Sequence, residues 1–295
     1  MSTIRNNRPT RRFREALKQG KCLIGPGVFD GISTRVASQI GFDFLYLAGS
    51  GATGSYCGEP DLSVMTQTEF FQLGRMLALH TDTALPIIAD ADTGFGGPLN
   101  ISRTVRLYEH AGIAGLHIEN QRGQGRQDPD FVIIARTDAR QAEKFGGPNA
   151  GSEAFLEGIK RLKAAVTAGA DMVFMESPRT EDECWTLVKE MGDVPVLINV
   201  LPNGLTPNLN ISECNRLGCR AAIYPCTGFI PLMLAMQRSY GALKATGTDL
   251  EACEGQTIKD FFDQVGLSEA WEFDARISDL ARSKLEGKQL RRRSS

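Results

Sequence analysis

Asp90 and Asp92 close a short apolar run that opens into glycines: Ile87-Ile88-Ala89-Asp90-Ala91-Asp92-Thr93-Gly94-Phe95-Gly96-Gly97. Two residues apart on a strand, their side chains point the same way. Carboxylates converging at a strand end offer hard oxygen ligands to a divalent cation such as Mg²⁺. The glycines after them let backbone approach a ligand closely. The plain alternative is that both aspartates cap a turn and the next helix. Polar residues end other apolar runs in the same manner: Tyr46, Glu119, Arg136, Asp138, Glu176 and Asn199. If all these ends meet at one mouth, surface solvation does not account for them, and a catalytic or ligand site is expected there.

The elements that must position them alternate between strand and helix. Apolar runs lie at Cys22–Gly25, Phe44–Ala48, Pro86–Asp90, Gly115–Glu119, Phe131–Arg136, Met172–Glu176, Val196–Asn199 and Ala221–Pro225. Helical patterns fall between most of them, as at Thr66–His80, Ile101–Ala111, Ser152–Ala168 and Glu181–Met191. This alternation predicts a parallel sheet of βα units, and eight runs favour a closed (β/α)8 TIM-type barrel over an open doubly wound sheet. No GxGxxG dinucleotide fingerprint follows any run. Beyond Tyr224, helices are expected at Leu232–Leu243, Ile258–Val265 and Glu269–Ala281. One barrel domain over residues 1–295 is expected, with the barrel at about 12–245 and a C-terminal helical extension at about 246–295. Phe261, Phe262, Trp271 and Phe273 on that extension suit packing against a second subunit or against the chain's own barrel.

Composition narrows the classes. The chain has 295 residues, 42% hydrophobic and 23% charged, with a net charge of −2. That is an ordinary globular balance with no electrostatic pull toward nucleic acid. No apolar run is long enough to span a membrane. Seven cysteines without CxxC spacing read as free thiols of an intracellular protein. Residues 1–14 hold five arginines and no acid. A cytoplasmic location is expected, a mitochondrial transit segment being the alternative reading of that stretch. Arg11–Leu17 reads equally as the first helix of the fold. The tail Arg291-Arg292-Arg293-Ser294-Ser295 reads as a solvated basic end.

Six stretches resemble the isocitrate lyase / phosphoenolpyruvate mutase superfamily. They are Gly25-Pro26-Gly27-Val28-Phe29-Asp30-Gly31, Tyr46-Leu47-Ala48-Gly49-Ser50-Gly51, Gly58-Glu59-Pro60-Asp61-Leu62, Asp90-Ala91-Asp92-Thr93-Gly94-Phe95-Gly96, Gly115-Leu116-His117-Ile118-Glu119 and Ile134-Ala135-Arg136-Thr137-Asp138-Ala139. The short-chain lyases and hydrolases are the most similar: methylisocitrate lyase, dimethylmalate lyase and oxaloacetate hydrolase. The resemblance implies that Asp92 binds Mg²⁺ (or Mn²⁺) directly, that Asp90 and Glu119 hold its waters, and that Asp61 lies further out. It implies a carboxylate pocket from Tyr46, Gly49 and Ser50, an Arg136 clamp on a carboxylate and the developing oxyanion, and Asn199 and Glu176 at the other end of the substrate. Arg136, Glu119 and His117 are the catalytic candidates. A small carboxylate substrate and a homodimer or homotetramer are implied, with neither nucleic acid nor membrane as partner.

The chain also departs from that pattern. In family lyases the fourth strand leads to a mobile Lys-x-Cys-Gly-His loop, whose cysteine is the acid/base group, and then to a helix. Here only Asn120–Asp130 separates the fourth and fifth runs, polar and glycine-rich without helical periodicity. A parallel crossover needs a dozen residues or more, so the fourth helix and the catalytic loop are expected to be missing. Ala48 replaces a serine, and Pro202 stands where a glutamate is expected to position Arg136. Cys57 is near enough in sequence to the second strand to reach the mouth, the alternative being an inert thiol. The expected function is Mg-dependent C–C bond cleavage (lyase or hydrolase) of a 2-hydroxy or 2-oxo di- or tricarboxylate through an enolate, impaired by the lost loop. The alternatives are a phosphonomutase-like enzyme and a non-catalytic dicarboxylate-binding relative. A skipped exon would also explain the gap.

Overall fold

The structure is a computed structural model that describes residues 8–81, 85–120 and 125–279. Strands β1 (Leu23–Val28), β2 (Leu45–Leu47), β3 (Ile87–Asp90), β4 (Gly115–Glu119), β5 (Val132–Thr137), β6 (Met172–Met175), β7 (Val196–Asn199) and β8 (Ala221–Tyr224) pair in sequence order, and β8 closes on β1. Every pairing is parallel, which makes a closed eight-stranded barrel. The strands are continuously apolar because both faces are covered. Leu23, Ile88, Val132, Ile134, Phe174, Leu197 and Ile223 fill the interior. Leu116, Ile118 and Ile133 belong to a cluster on the outer side.

The helices follow the periodic segments. α1 (Pro9–Leu17) buries Phe13 and Leu17 in the same cluster as the barrel interior and so closes its N-terminal end. Arg11–Leu17 is thus part of the fold. Residues 1–7 of the arginine-rich stretch lie outside the described residues, as do 291–295 of the basic tail. α2 (Gly31–Ile40) and α4 (Gln67–His80) start on reciprocal capping boxes, Asp30/Ser33 and Thr66/Glu69. Between them lies α3 (Gly49–Tyr56), which the glycine-rich sequence does not announce. α5 (Pro98–Ala111), α6 (Ser152–Thr167), α7 (Glu181–Met191) and α8 (Ile211–Arg216) complete the outer layer.

One position in that layer is unlike the rest. The described residues between β4 and β5, 120 and 125–131, contain no helix. The segment is fastened by side chains instead. The Glu109 carboxylate accepts the N–H groups of Gln127 (2.8 Å) and Asp128 (2.9 Å), and Thr10 Oγ1 donates to Asp128 Oδ2 at 2.9 Å. Arg126 and Arg14 both pair with Asp171. Leu116, Ile118 and Ile133 stay buried, so the barrel wall survives the short crossover.

The chain divides into two compact units, Met1–Leu234 and Ala235–Ser295, with the boundary inside α9 (Phe229–Thr246). The second unit continues with α10 (Ile258–Gln264) and a helical stretch over 267–279. None of its described residues is buried. No described helix is long and apolar enough to cross a membrane.

Candidate active site

The barrel brings the polar strand ends to one mouth. Register places Asp90 beside His117 and Glu119 beside Arg136. Along β5, Val132 and Ile134 face inward, so Arg136 does too, by the period of two. The same alternation on β7 turns Asn199 inward after Leu197.

Arg136 is held in a fork. Its Nε and Nη2 donate to Asp138 Oδ1 and Oδ2, each at 2.8 Å, and Glu176 Oε2 lies 3.7 Å from Nη2. Asp138 therefore supplies the carboxylate that Pro202 was expected to remove. The guanidinium stays charged, its pKa pushed further up by Asp138, Glu176 and Asp90 despite burial. Glu176 accepts from Asn199 Nδ2 (3.1 Å) and Ser177 Oγ (3.2 Å). Burial pushes its pKa up, and Arg136, Asn199 and Ser177 pull against that.

Asp90 and His117 share the next part of the mouth. Tyr46 Oη lies 2.8 Å from His117 Nε2, and His117 Nδ1 lies 3.7 Å from Asp90 Oδ1. Burial lowers the His117 pKa to about 4, so the ring is neutral at neutral pH. A proton on Nδ1, toward Asp90, leaves Nε2 to accept the Tyr46 phenol. Gly49 begins α3 against this carboxylate, and a Cβ there would collide with Asp90 Oδ2. Ala48 at the N-cap has no side chain to cap the helix, so the N–H groups of Gly49, Ser50 and Gly51 have no side-chain cap. Such a helix start accommodates an anionic group.

Asp90 and Asp92 do not share one strand face as expected. β3 ends at Asp90, and Asp92 follows in a left-handed turn, φ 47°. Their two carboxylates accept the N–H groups of Asp92 (2.8 Å) and Thr93 (2.7 Å). With Asp61 and Glu119 they still concentrate negative charge suited to a hydrated, oxygen-bound cation. Burial, and after it the fields of Asp90 and Asp92, raise the Asp61 pKa to about 6. Burial first, then Asp138, Asp92 and Asp90, raise that of Glu119. A divalent cation would offset this clustered negative charge. No three ligating side chains converge as a closed cage among the described residues. Mg²⁺ does not need one, since it commonly keeps several waters and takes one or two carboxylates.

Sequence reasoning missed Asp138 as the partner of Arg136, although the two stand two residues apart where a strand end would align them. It also missed Gln141 and Ser177, which carry no motif. Cys57 packs against the outer cluster. All seven cysteines are free thiols. The linker positions 121–124 lie outside the described residues.

Comparison with known proteins agrees with this fold. The phosphoenolpyruvate phosphomutase family model matches residues 13–129 and 122–244. The two pieces overlap at residues 122–129, within the shortened crossover. The 2,3-dimethylmalate lyase of Eubacterium barkeri is 33% identical over 290 residues, covering 89% of this chain and 96% of its own. The 2-methylisocitrate lyase of Halalkalibacterium halodurans is 32% identical, covering 90% of this chain and 93% of its own. A crystal structure of 2,3-dimethylmalate lyase superposes with a TM-score of 0.82 at 32% identity, covering 91% of this chain and 97% of that one. One of oxaloacetate acetylhydrolase with the product oxalate gives 0.81 at 30%, covering 92% and 99%. Matched along most of its length in sequence and in fold, the chain belongs to the phosphoenolpyruvate phosphomutase family, within the PEP mutase/isocitrate lyase superfamily.

Proposed function

We propose that this chain is a C–C bond lyase or hydrolase that acts on a 2-hydroxy or 2-oxo di- or tricarboxylate and depends on Mg²⁺ or Mn²⁺. The observation that carries the reading is the Arg136 fork, facing inward at the same mouth as Asp90 and the uncapped start of α3. Two carboxylate-binding devices at one mouth match a substrate with two carboxylates. The cation, held by Asp92 with Asp90, Glu119 and Asp61 around it, would supply Lewis-acid charge stabilisation.

The chain's own residues divide the remaining work. Arg136 grips a substrate carboxylate and keeps its charge near the oxyanion as it develops. Gly49 and Ser50 present N–H groups to the second carboxylate. Tyr46 and neutral His117 form the polar wall between them. Asn199 and Glu176 line the far side. The sequence of the β4–β5 crossover carries no cysteine to protonate the product enolate in the manner of the family's loop. General acid–base help is worth about 10²–10⁴ in rate, so slow turnover is expected.

The test is incubation of the full chain and Mg²⁺ with methylisocitrate, dimethylmalate, oxaloacetate and phosphonopyruvate, with products followed by NMR. Slow cleavage of a carboxylate substrate, lost in Asp92→Ala, supports the reading. Reaction of phosphonopyruvate alone would make the protein a phosphonomutase. Oxalate binding with no turnover of anything would make it a binding protein. Fast lyase turnover would overturn the claim that the missing loop is needed.

A further inference from the structure

A chain of hydrogen bonds runs into the mouth from behind Glu176. Gln141 Nε2 donates to Ser177 Oγ at 2.8 Å. That hydroxyl has one proton, and it donates to Glu176 Oε1 at 3.2 Å. On the other oxygen, Glu176 Oε2 accepts from Asn199 Nδ2 at 3.1 Å. Every donor in the chain points at Glu176, which is thereby kept as an acceptor. Ser177 reaches this position through a left-handed backbone, φ 60°. A serine pays strain for that conformation, and such strain persists where surrounding contacts enforce it. The contacts are visible. Gln141 ends a short turn over Ala139–Gln141, where Arg140 is buried, paired with Glu183 and donating to Gly151 O.

The consequence lies at Asn199. An amide has a donor end and an acceptor end. With Nδ2 committed to Glu176, Oδ1 is the free end, and it is buried without a hydrogen-bond partner among the described residues. An acceptor left in that state is destabilising until something donates to it. Asn199 is inward-facing at the mouth, so a ligand can be that donor. Carboxylates and a keto oxygen only accept, whereas a hydroxyl donates.

Resting on the function proposed above, we infer that Gln141 and Ser177 are positioning residues which, through Glu176, fix the Asn199 amide so that its Oδ1 receives a substrate hydroxyl. The site is thereby set for 2-hydroxy acids over their hydroxyl-free and 2-oxo counterparts. A protein acceptor left unpaired by the wrong ligand is a strong discriminator.

The experiment compares malate with succinate by calorimetric titration of the full chain in Mg²⁺, for the unaltered protein, Ser177→Ala and Gln141→Leu. The unaltered protein should prefer malate by about tenfold, the worth of one buried hydrogen bond. Both substitutions should bring the preference below about threefold while succinate affinity stays within about twofold. Binding of neither diacid by the unaltered protein would overturn the dicarboxylate reading itself. Equal binding of both would leave that reading standing and overturn the hydroxyl assignment. A malate preference that survives both substitutions would belong to the cation and not to Asn199, and would overturn the role given to Gln141 and Ser177. If Ser177→Ala fails to fold, as judged by circular dichroism, Gln141→Leu decides alone.

Discussion

Arg136 draws its value from its two oxygens on Asp138. The pair is mostly buried, with side-chain exposures of 19% and 23%. Asp138→Asn removes the charge but keeps the shape, and should weaken oxalate binding by about 10- to 100-fold, with a stability loss of about 1–3 kcal/mol. Arg136→Lys should weaken oxalate binding by at least about tenfold, because an ammonium cannot reproduce the fork. Titration calorimetry and urea unfolding check both. His117 gives a pH prediction. Its folded pKa is about 4, against an ordinary value of 6.5. Between those values the unfolded chain takes up a proton that the folded chain refuses. Stability should therefore be flat in this respect above pH 6.5 and fall as pH drops toward 4, by at most about 3 kcal/mol. Thermal unfolding in a chelator, with and without His117→Gln, should show a shallower loss in the variant. Identical slopes would mean that the imidazole does not carry it.

Among the elements, α3 is the one whose placement the site depends on most directly. Gly49 lets its first turn lie against Asp90, where any side chain would collide. Gly49→Ala should leave the far-ultraviolet circular dichroism unchanged and lower oxalate affinity by more than tenfold, on the order of one lost charge-assisted hydrogen bond. Unchanged affinity would remove the helix start from the carboxylate pocket. The shortened β4–β5 crossover acts the other way. It leaves no helix among its described residues while the barrel wall stays intact, with Glu109, Thr10 and Asp171 holding residues 126–128 in place. Slow turnover without loss of fold is the outcome expected of such a short crossover.

On the scale of the whole molecule, apolar side chains cluster in the open at two places among the described residues. Ile32, Val36 and Ile40 form a stripe along α2 with exposures of 48%, 39% and 67%. This stripe borders an apolar cavity of about 430 Å³ that Phe29, Phe42 and Leu232 also line. The second unit exposes Phe261, Phe262, Trp271, Phe273 and Ile277. Apolar patches of this kind mark interfaces, and we propose a homodimer or homotetramer built on them. Light scattering at micromolar concentration should give a mass at least twice that of one chain, reduced toward one chain by Trp271→Glu with Phe273→Glu. A full-length monomer would rule the assembly out.

Much of this was legible in the sequence because it rests on local rules. The eight apolar runs, the period of the intervening helices and the turn glycines are properties of neighbouring residues, and they specify a barrel before any contact is known. The DADTGFG, HIE and ARTDA stretches marked the mouth. The length of Asn120–Asp130 excluded a crossover helix by reach alone. The tertiary structure decided what depends on residues far apart. It paired Tyr46 with His117 across 71 positions and Gln141 with Ser177 across 36. It gave Arg136 its partner in Asp138, turned Ser177 into a left-handed backbone and left Asn199 Oδ1 without a donor. Those outcomes follow from which strand ends meet when the barrel closes, and a linear pattern of polar and apolar residues does not encode hydrogen-bond direction.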